Sequence, residues 1–222
     1  MGEKGIGVLR EVFLRHLRKR EKLSPDYFRP FLRKQSPQVT LVYCSDSRVQ
    51  TELWGLEATN FAFSVRNAGN QILNALGSVD YGVLHLQTPL LLIVGHVRCG
   101  AVSAALGDYG DQPPAVVKEL STLCVPLRRA LRKRFKRTHD LVEEAVLENV
   151  HFQVEVALSR YRDRVEKGLL TVAGGLYDFA NLYGRGRGAL LLVNVNGKKD
   201  PSEVPDELKP FFVSKGWADE NG

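Results

Sequence analysis

The sequence predicts an α/β protein: a mostly parallel central sheet of about four to five strands, helices on both faces and an N-terminal helical arm. Three observations carry this. Short, mostly apolar runs recur at 39–43 (VTLVY), 61–65 (FAFSV), 90–95 (LLLIVG), 169–173 (LLTVA) and 189–195 (ALLLVNV). Strands buried on both faces of a parallel sheet read as such continuous runs rather than as alternation. Helical segments fall between them, at 68–87, 99–107, 115–135 and 139–167. Finally, 222 residues with 44% apolar and 25% charged composition suit one large core.

In chain order, residues 8–23 mix Arg and Lys with Val8, Val12, Leu14 and Leu17, an amphipathic helix. Such an arm needs a surface to cover, on its own sheet or on a partner subunit. Ser24 before Pro25 reads as the cap and first turn of a further helix. Residues 111–114 form a loop and helix entry, and Pro126 breaks or kinks the segment around it. Neither repeat nor long linker is evident. Residues 1–222 are therefore expected to form a single domain, with 1–34 as its helical arm.

The longest apolar stretch, 89–95, is strand-sized, which excludes a membrane-spanning helix. Glu3, Glu11 and Glu21 argue against a transit peptide, the start lacks a secretory pattern, and position 6 lacks the Ser or Thr of a myristoylation site. Three cysteines at irregular spacing argue against a disulfide scaffold and for a reducing, cytoplasmic setting. The net charge of +6 concentrates in 10–34 and 128–137. Solvated helix faces explain it better than a nucleic-acid surface.

Chemistry gathers at two strand ends. Cys44-Ser45-Asp46-Ser47-Arg48 follows the first run, and His96-Val97-Arg98-Cys99-Gly100 follows the third. Ligands in open α/β sheets sit beyond the carboxyl ends of strands. Neighbouring strands ending this way bring two thiols and an imidazole to one point, the donor set of tetrahedral zinc. The third cysteine, Cys124, lies in a packing context. Three ligands leave an open position for water, as in catalytic zinc sites. Asp46 and Arg48, in apolar surroundings, make sense as a pair.

With these residues in view, the chain resembles a β-class carbonic anhydrase from about position 35 to 188. The resemblance rests on CSDSRV at 44–49, VRNAGN at 65–70, GHVRCGA at 95–101 and GGLYDF at 174–179. It implies zinc held by Cys44, His96 and Cys99, and an Asp46–Arg48 dyad beside the metal-bound solvent. The plant-type branch is the closer one. There Gln35, Phe63 and Tyr81 correspond to substrate-pocket residues and His85 to a proposed proton relay. In that branch these groups come partly from a neighbouring subunit, so a homodimer or higher homo-oligomer is implied. Leu41 stands where the bicarbonate-inhibited bacterial branch has Trp. Residues 181–188 depart from the family pattern.

The expected activity is reversible hydration of carbon dioxide to bicarbonate and a proton. The alternatives are hydrolysis of a related linear substrate such as carbon disulfide, or a non-catalytic zinc protein that binds nucleic acid. In the hydration reading Asp46 accepts a hydrogen bond from the nucleophile and Arg48 keeps Asp46 ionised. Asp46 closing onto zinc would give an inactive form. The Gly100 N–H faces the bound anion, or else Gly100 only makes a tight turn. Phe63 and Tyr81 line an apolar pocket or are core aromatics. His85 shares a helix face with Tyr81. Arg66 and Asn67 organise the pocket wall or make core ion pairs. The GRGRG run at 184–188 reads as a turn before the last strand rather than a phosphate loop.

Overall fold

In a computed structural model, residues 3–133 and 138–213 are described. The chain forms two compact units, Met1–Ser36 and Pro37–Gly222.

In the first unit, helix α1 (Glu3–Arg20) carries exposed Ile6, Val8, Leu9, Val12, Phe13 and Leu17. The helix expected after Ser24 is instead a turn, followed by a short 3-10 segment, Arg29–Phe31. Ser24 Oγ accepts the Asp26 amide at 3.3 Å, so the residue caps a turn. Edge-to-face packing draws Tyr27, Phe28 and Phe31 into one aromatic cluster, with centroids 4.9–5.8 Å apart.

The second unit is built on five strands: β1 (Val39–Cys44), β2 (Ala62–Asn67), β3 (Leu90–His96), β4 (Thr171–Asp178) and β5 (Ala189–Val195). Their order is β2-β1-β3-β4-β5, parallel except for β5, which returns antiparallel on β4. The helices are α2 (Leu76–Asp80), α3 (Gly100–Leu106), α4 (Pro114–Ser121), α5 (Cys124–Leu131), α6 (Thr138–Arg160) and α7 (Arg162–Glu166). Among the described residues, no helix is long and apolar enough to cross a membrane.

Strand alternation assigns the two sheet faces. Val42, Leu91, Ile93 and Val172 pack with Val154 and Ala157 of α6. Leu41, Tyr43, Val94 and Tyr177 pack with Trp54, from the 3-10 turn Thr51–Trp54, and with Leu56. Two glycines let α6 lie close. A Cβ on Gly95 would stand 2.6 Å from Val150 Cγ2, and one on Gly174 would stand 2.7 Å from Val150 Cγ1. This explains the one misplaced strand. The run at 169–173 is only the entry to β4, which continues through Gly174 and Gly175, where a side chain would hold the helix off.

Three helical segments divide, the 139–167 segment at Tyr161 between α6 and α7. The 115–135 segment breaks between α4 and α5, at Thr122 and Leu123. Pro126 sits in the first turn of α5, where it needs no N–H, and its ring excludes a helical bond to the Thr122 carbonyl. The 68–87 segment begins as a loop with Gly69 and Asn70 at positive φ, then runs 3-10 (Leu73–Ala75), α2 and a π-turn (Tyr81–His85). In the 128–137 basic run, Arg129 pairs with Glu155 at 2.8 Å, and Lys133 with Glu144 and Glu148. Residues 134–137 of that run lie outside the described residues, as does the tail beyond 213. The GRGRG run is the β4–β5 turn. Asp178 accepts the amides of Ala180, Leu182 and Tyr183, and Asn181 Oδ1 accepts that of Gly186. Four amides of this turn are thus already used by side chains of the turn itself.

Candidate active site and metal centre

Parallel pairing of β1 with β3 sets the C-terminal ends of the two strands side by side. Cys44 ends β1 and His96 ends β3, and Cys99 precedes the first residue of α3. Their donor atoms all lie within 4.8 Å of one another, and all three residues are buried. The two sulfurs stand 4.0 Å apart. A disulfide would need ~2.05 Å. Two sulfurs held ~2.3 Å from one tetrahedral ion would be ~3.8 Å apart. His96 Nδ1 meets the Val97 carbonyl at 3.0 Å, which orients the ring. Nε2, fully buried, has no hydrogen-bond partner. A dry, orphaned imidazole nitrogen beside two thiols is costly unless an electrophile takes its lone pair. The donor set therefore fits zinc.

The two sulfurs lie within hydrogen-bond reach of each other, and this contact moves the two thiols in opposite directions. Cys44 is lowered, first by its hydrogen bond with Cys99, then by His96 and the Gly69 amide against the opposing effect of burial. Cys99 is pushed well above the usual thiol range by the same hydrogen bond and by burial, although the Ala101 and Val102 amides oppose this.

Asp46 Oδ2 lies 3.9 Å from His96 Nε2. Arg48 grips the carboxylate with Nε and Nη2, and Arg48 Nη2 also reaches the Arg98 carbonyl at 3.1 Å. This grip holds the Asp46 carboxyl down at about 2, against the raising effect of burial. The Arg48 guanidinium stacks 4.7 Å over the Phe179 ring.

Among the described residues, Arg66 makes no ion pair. It donates to the carbonyls of Cys44, Asp46 and Val49 and to Gln50 Oε1, and it stacks on Tyr43. One guanidinium thereby fixes the whole 44–50 loop. Asn67 closes the next turn through two bonds to the Gln71 backbone. At Gly100, apart from its chain neighbours and its own helix backbone, no described atom lies within 4 Å of where a Cβ would be, so a side chain would find open space there.

Phe63, Tyr81 and His85 form a second cluster. Phe63 and Tyr81 have centroids 5.6 Å apart, and Tyr81 and His85 4.5 Å. Register places Phe63 beside Thr40, whereas Cys44 is beside Asn67. Four residues of strand separate the two levels by roughly 13 Å. A single chain thus assembles two groups at different heights along the sheet. Gln35 belongs to the N-terminal unit.

Sequence reasoning gave no role to Arg98, Glu143 or Phe179. Arg98 takes a left-handed φ of 53°, and its amide donates to Glu143 Oε1 at 2.9 Å. Glu143 is buried, and desolvation raises it to about 7. A clue existed: Glu143 falls in step with Val146, Val150, Val154 and Ala157, on the buried stripe of α6.

An α/β sheet with a buried two-thiol, one-imidazole centre at its strand ends, beside an ion-paired carboxylate, defines the class of a metal-dependent enzyme. Residues 39–185 match the family model described as carbonic anhydrase, and the chain belongs to that family, in its β class. Carbonic anhydrase 2 of Mycobacterium tuberculosis is 33% identical over 150 residues, covering 64% of this chain and 70% of that protein. A tetrameric β-carbonic anhydrase of Sordaria macrospora shares the fold, with TM-score 0.71 and 21% identity over 86% of this chain and 98% of that one. A Coccomyxa β-carbonic anhydrase in complex with acetazolamide gives TM-score 0.66 and 25% identity, over 76% of this chain and 80% of that one.

Proposed function

We propose that the chain catalyses the reversible hydration of carbon dioxide to bicarbonate and a proton, with zinc held by Cys44, His96 and Cys99. The observation that carries this is the buried donor set with the Asp46 carboxylate 3.9 Å from its imidazole nitrogen, in a chain of this family. When bound, zinc supplies Lewis acidity and makes water a nucleophile near neutral pH.

The chain's own groups do the rest. Asp46 Oδ1 already accepts the Arg48 amide and Nε, while Oδ2 accepts only Nη2. Oδ2 therefore keeps an acceptor site for the attacking solvent. Arg48 keeps that carboxylate ionised and fixed. The Gly100 N–H, in the first turn of α3, serves as the donor to a product oxygen. Phe63 and Tyr81 supply an apolar wall, Gln35 a polar one, and His85 passes the proton outward. The separation of that cluster from the metal donors supports a homodimer or higher oligomer in which each chain serves its neighbour's site. Exposed apolar residues on α1 support the same reading. Leu41, standing where the bicarbonate-inhibited branch has Trp, supports the plant-type branch. Residues 1–34 are read as the arm of one domain, and three free cysteines support a cytoplasmic location.

A zinc assay with stopped-flow hydration tests this. One zinc per chain with turnover is expected; zinc-loaded chains without turnover would contradict it.

A further inference from the structure

One amide of the VRNAGN loop reaches a sulfur of the metal centre. Gly69 N–H donates to Cys44 Sγ at 3.5 Å. A distant pair on α6 holds that glycine. Asn149 Nδ2 donates to the Gly69 carbonyl at 2.8 Å. Asn149 Oδ1 accepts Gln153 Nε2 at 3.0 Å, and Gln153 Oε1 accepts the Ile72 amide at 2.9 Å. The two side chains thus clamp both ends of the 69–72 segment. They are 1% and 2% exposed, among Val146, Val150 and Val154. Placing two amides on an apolar stripe is tolerable only when all their groups are satisfied, and here the partners are this loop and each other. Gly69 also sits at φ +80°, with Leu123 methyls 3.3 Å from where its Cβ would be, so a side chain is excluded at that point.

We propose that Asn149 is a positioning residue for the metal centre: with Gln153 it keeps the Gly69 amide on the Cys44 sulfur and so sets how much charge that thiolate gives the ion. The inference rests on the zinc reading. A hydrogen bond to a thiolate withdraws electron density from sulfur, and groups outside the ligand set tune a metal in this way. The Asp46–Arg48 pair acts on the solvent, whereas Asn149 acts on a ligand.

The test loads the full chain with a spin-active cadmium isotope and follows the Gly69 amide proton by NMR. A through-bond coupling between that proton and the metal is expected in the unmodified chain. It is lost in Asn149→Leu and in Asn149→Asp; the latter keeps the size and the acceptor for Gln153 but not the donor to Gly69. In cobalt-loaded variants, the sulfur-to-metal charge-transfer band moves to longer wavelength. If Asn149→Leu fails to fold, Asn149→Asp is the reading. A loaded chain without the coupling overturns the proposal, as does a folded variant with coupling and band unchanged. A chain that takes up no cadmium sinks the zinc reading, and this inference with it.

Discussion

Arg48 holds Asp46 through two parallel hydrogen bonds, Nε to Oδ1 at 2.9 Å and Nη2 to Oδ2 at 2.7 Å. A third, from the Arg48 amide to Oδ1 at 2.9 Å, closes the turn between them. The bidentate grip fixes the direction of the remaining Oδ2 lone pair as well as the charge. Asn at position 46 keeps the shape but loses the charge and half the acceptors. Asp46→Asn should retain zinc and lose about 100-fold or more in turnover, the usual scale for a positioned proton-handling group. Metal analysis with stopped-flow hydration checks this, and unchanged turnover would remove the role.

The two-cluster arrangement predicts complementation between subunits. A chain with Asp46→Asn keeps an intact Phe63–Tyr81–His85 group, and a chain lacking those three side chains keeps an intact metal centre. Each alone should be inactive. After mixing, denaturing and reassembling equal amounts, half the dimers pair the two, and each such dimer has one intact site. About one quarter of full activity should return. No recovery, with mixed dimers present, would mean that each chain serves itself.

Val150 sits against both Gly95 and Gly174. A Cβ at Gly174 has no room because Val150 is β-branched and stiff. Gly174→Ala should cost about 1–3 kcal/mol in urea unfolding, the usual penalty of overpacking. Adding Val150→Ala should return part of it, giving a coupling term of opposite sign. Strict additivity would show that the close approach is not what matters.

These glycines also show where sequence reading fails. The strands β1, β3 and β5 announce themselves by mostly apolar runs, whereas the run at 169–173 marks only the start of β4, because Gly174 and Gly175 interrupt the apolar pattern. The metal donors were legible because strand ends next to each other must share a mouth. That Phe63 and Tyr81 lie a dozen ångströms from that mouth was not legible, since it depends on pairing Thr40 with Phe63 rather than on spacing. Glu143, Asn149 and Gln153 went unmarked because polar residues in a helix are read as solvent-facing. Their step with Val146 and Val150 was the overlooked signal.

His151 predicts a pH effect. It is 7% exposed, and its ring lies 3.2 Å from Asn194 Nδ2. Burial, aided by Lys199 and Lys133 and opposed by Glu148 and Glu155, lowers it from 6.5 to about 4. Between those values the unfolded chain binds a proton that the folded chain refuses. Stability should therefore fall as pH drops from 6.5 to about 4, by about 1 kcal/mol per unit at most from this group. His151→Gln should flatten the urea-derived slope in that window. An unchanged slope would show that His151 is not the cause.

The most direct measurement is zinc-edge X-ray absorption on the purified chain at alkaline pH. The account predicts two sulfurs at about 2.3 Å, one imidazole nitrogen at about 2.0 Å and one further light atom that exchanges with added anions. A shell of three or four sulfurs, a fourth position closed by a carboxylate that no anion displaces, or no zinc at all would contradict it.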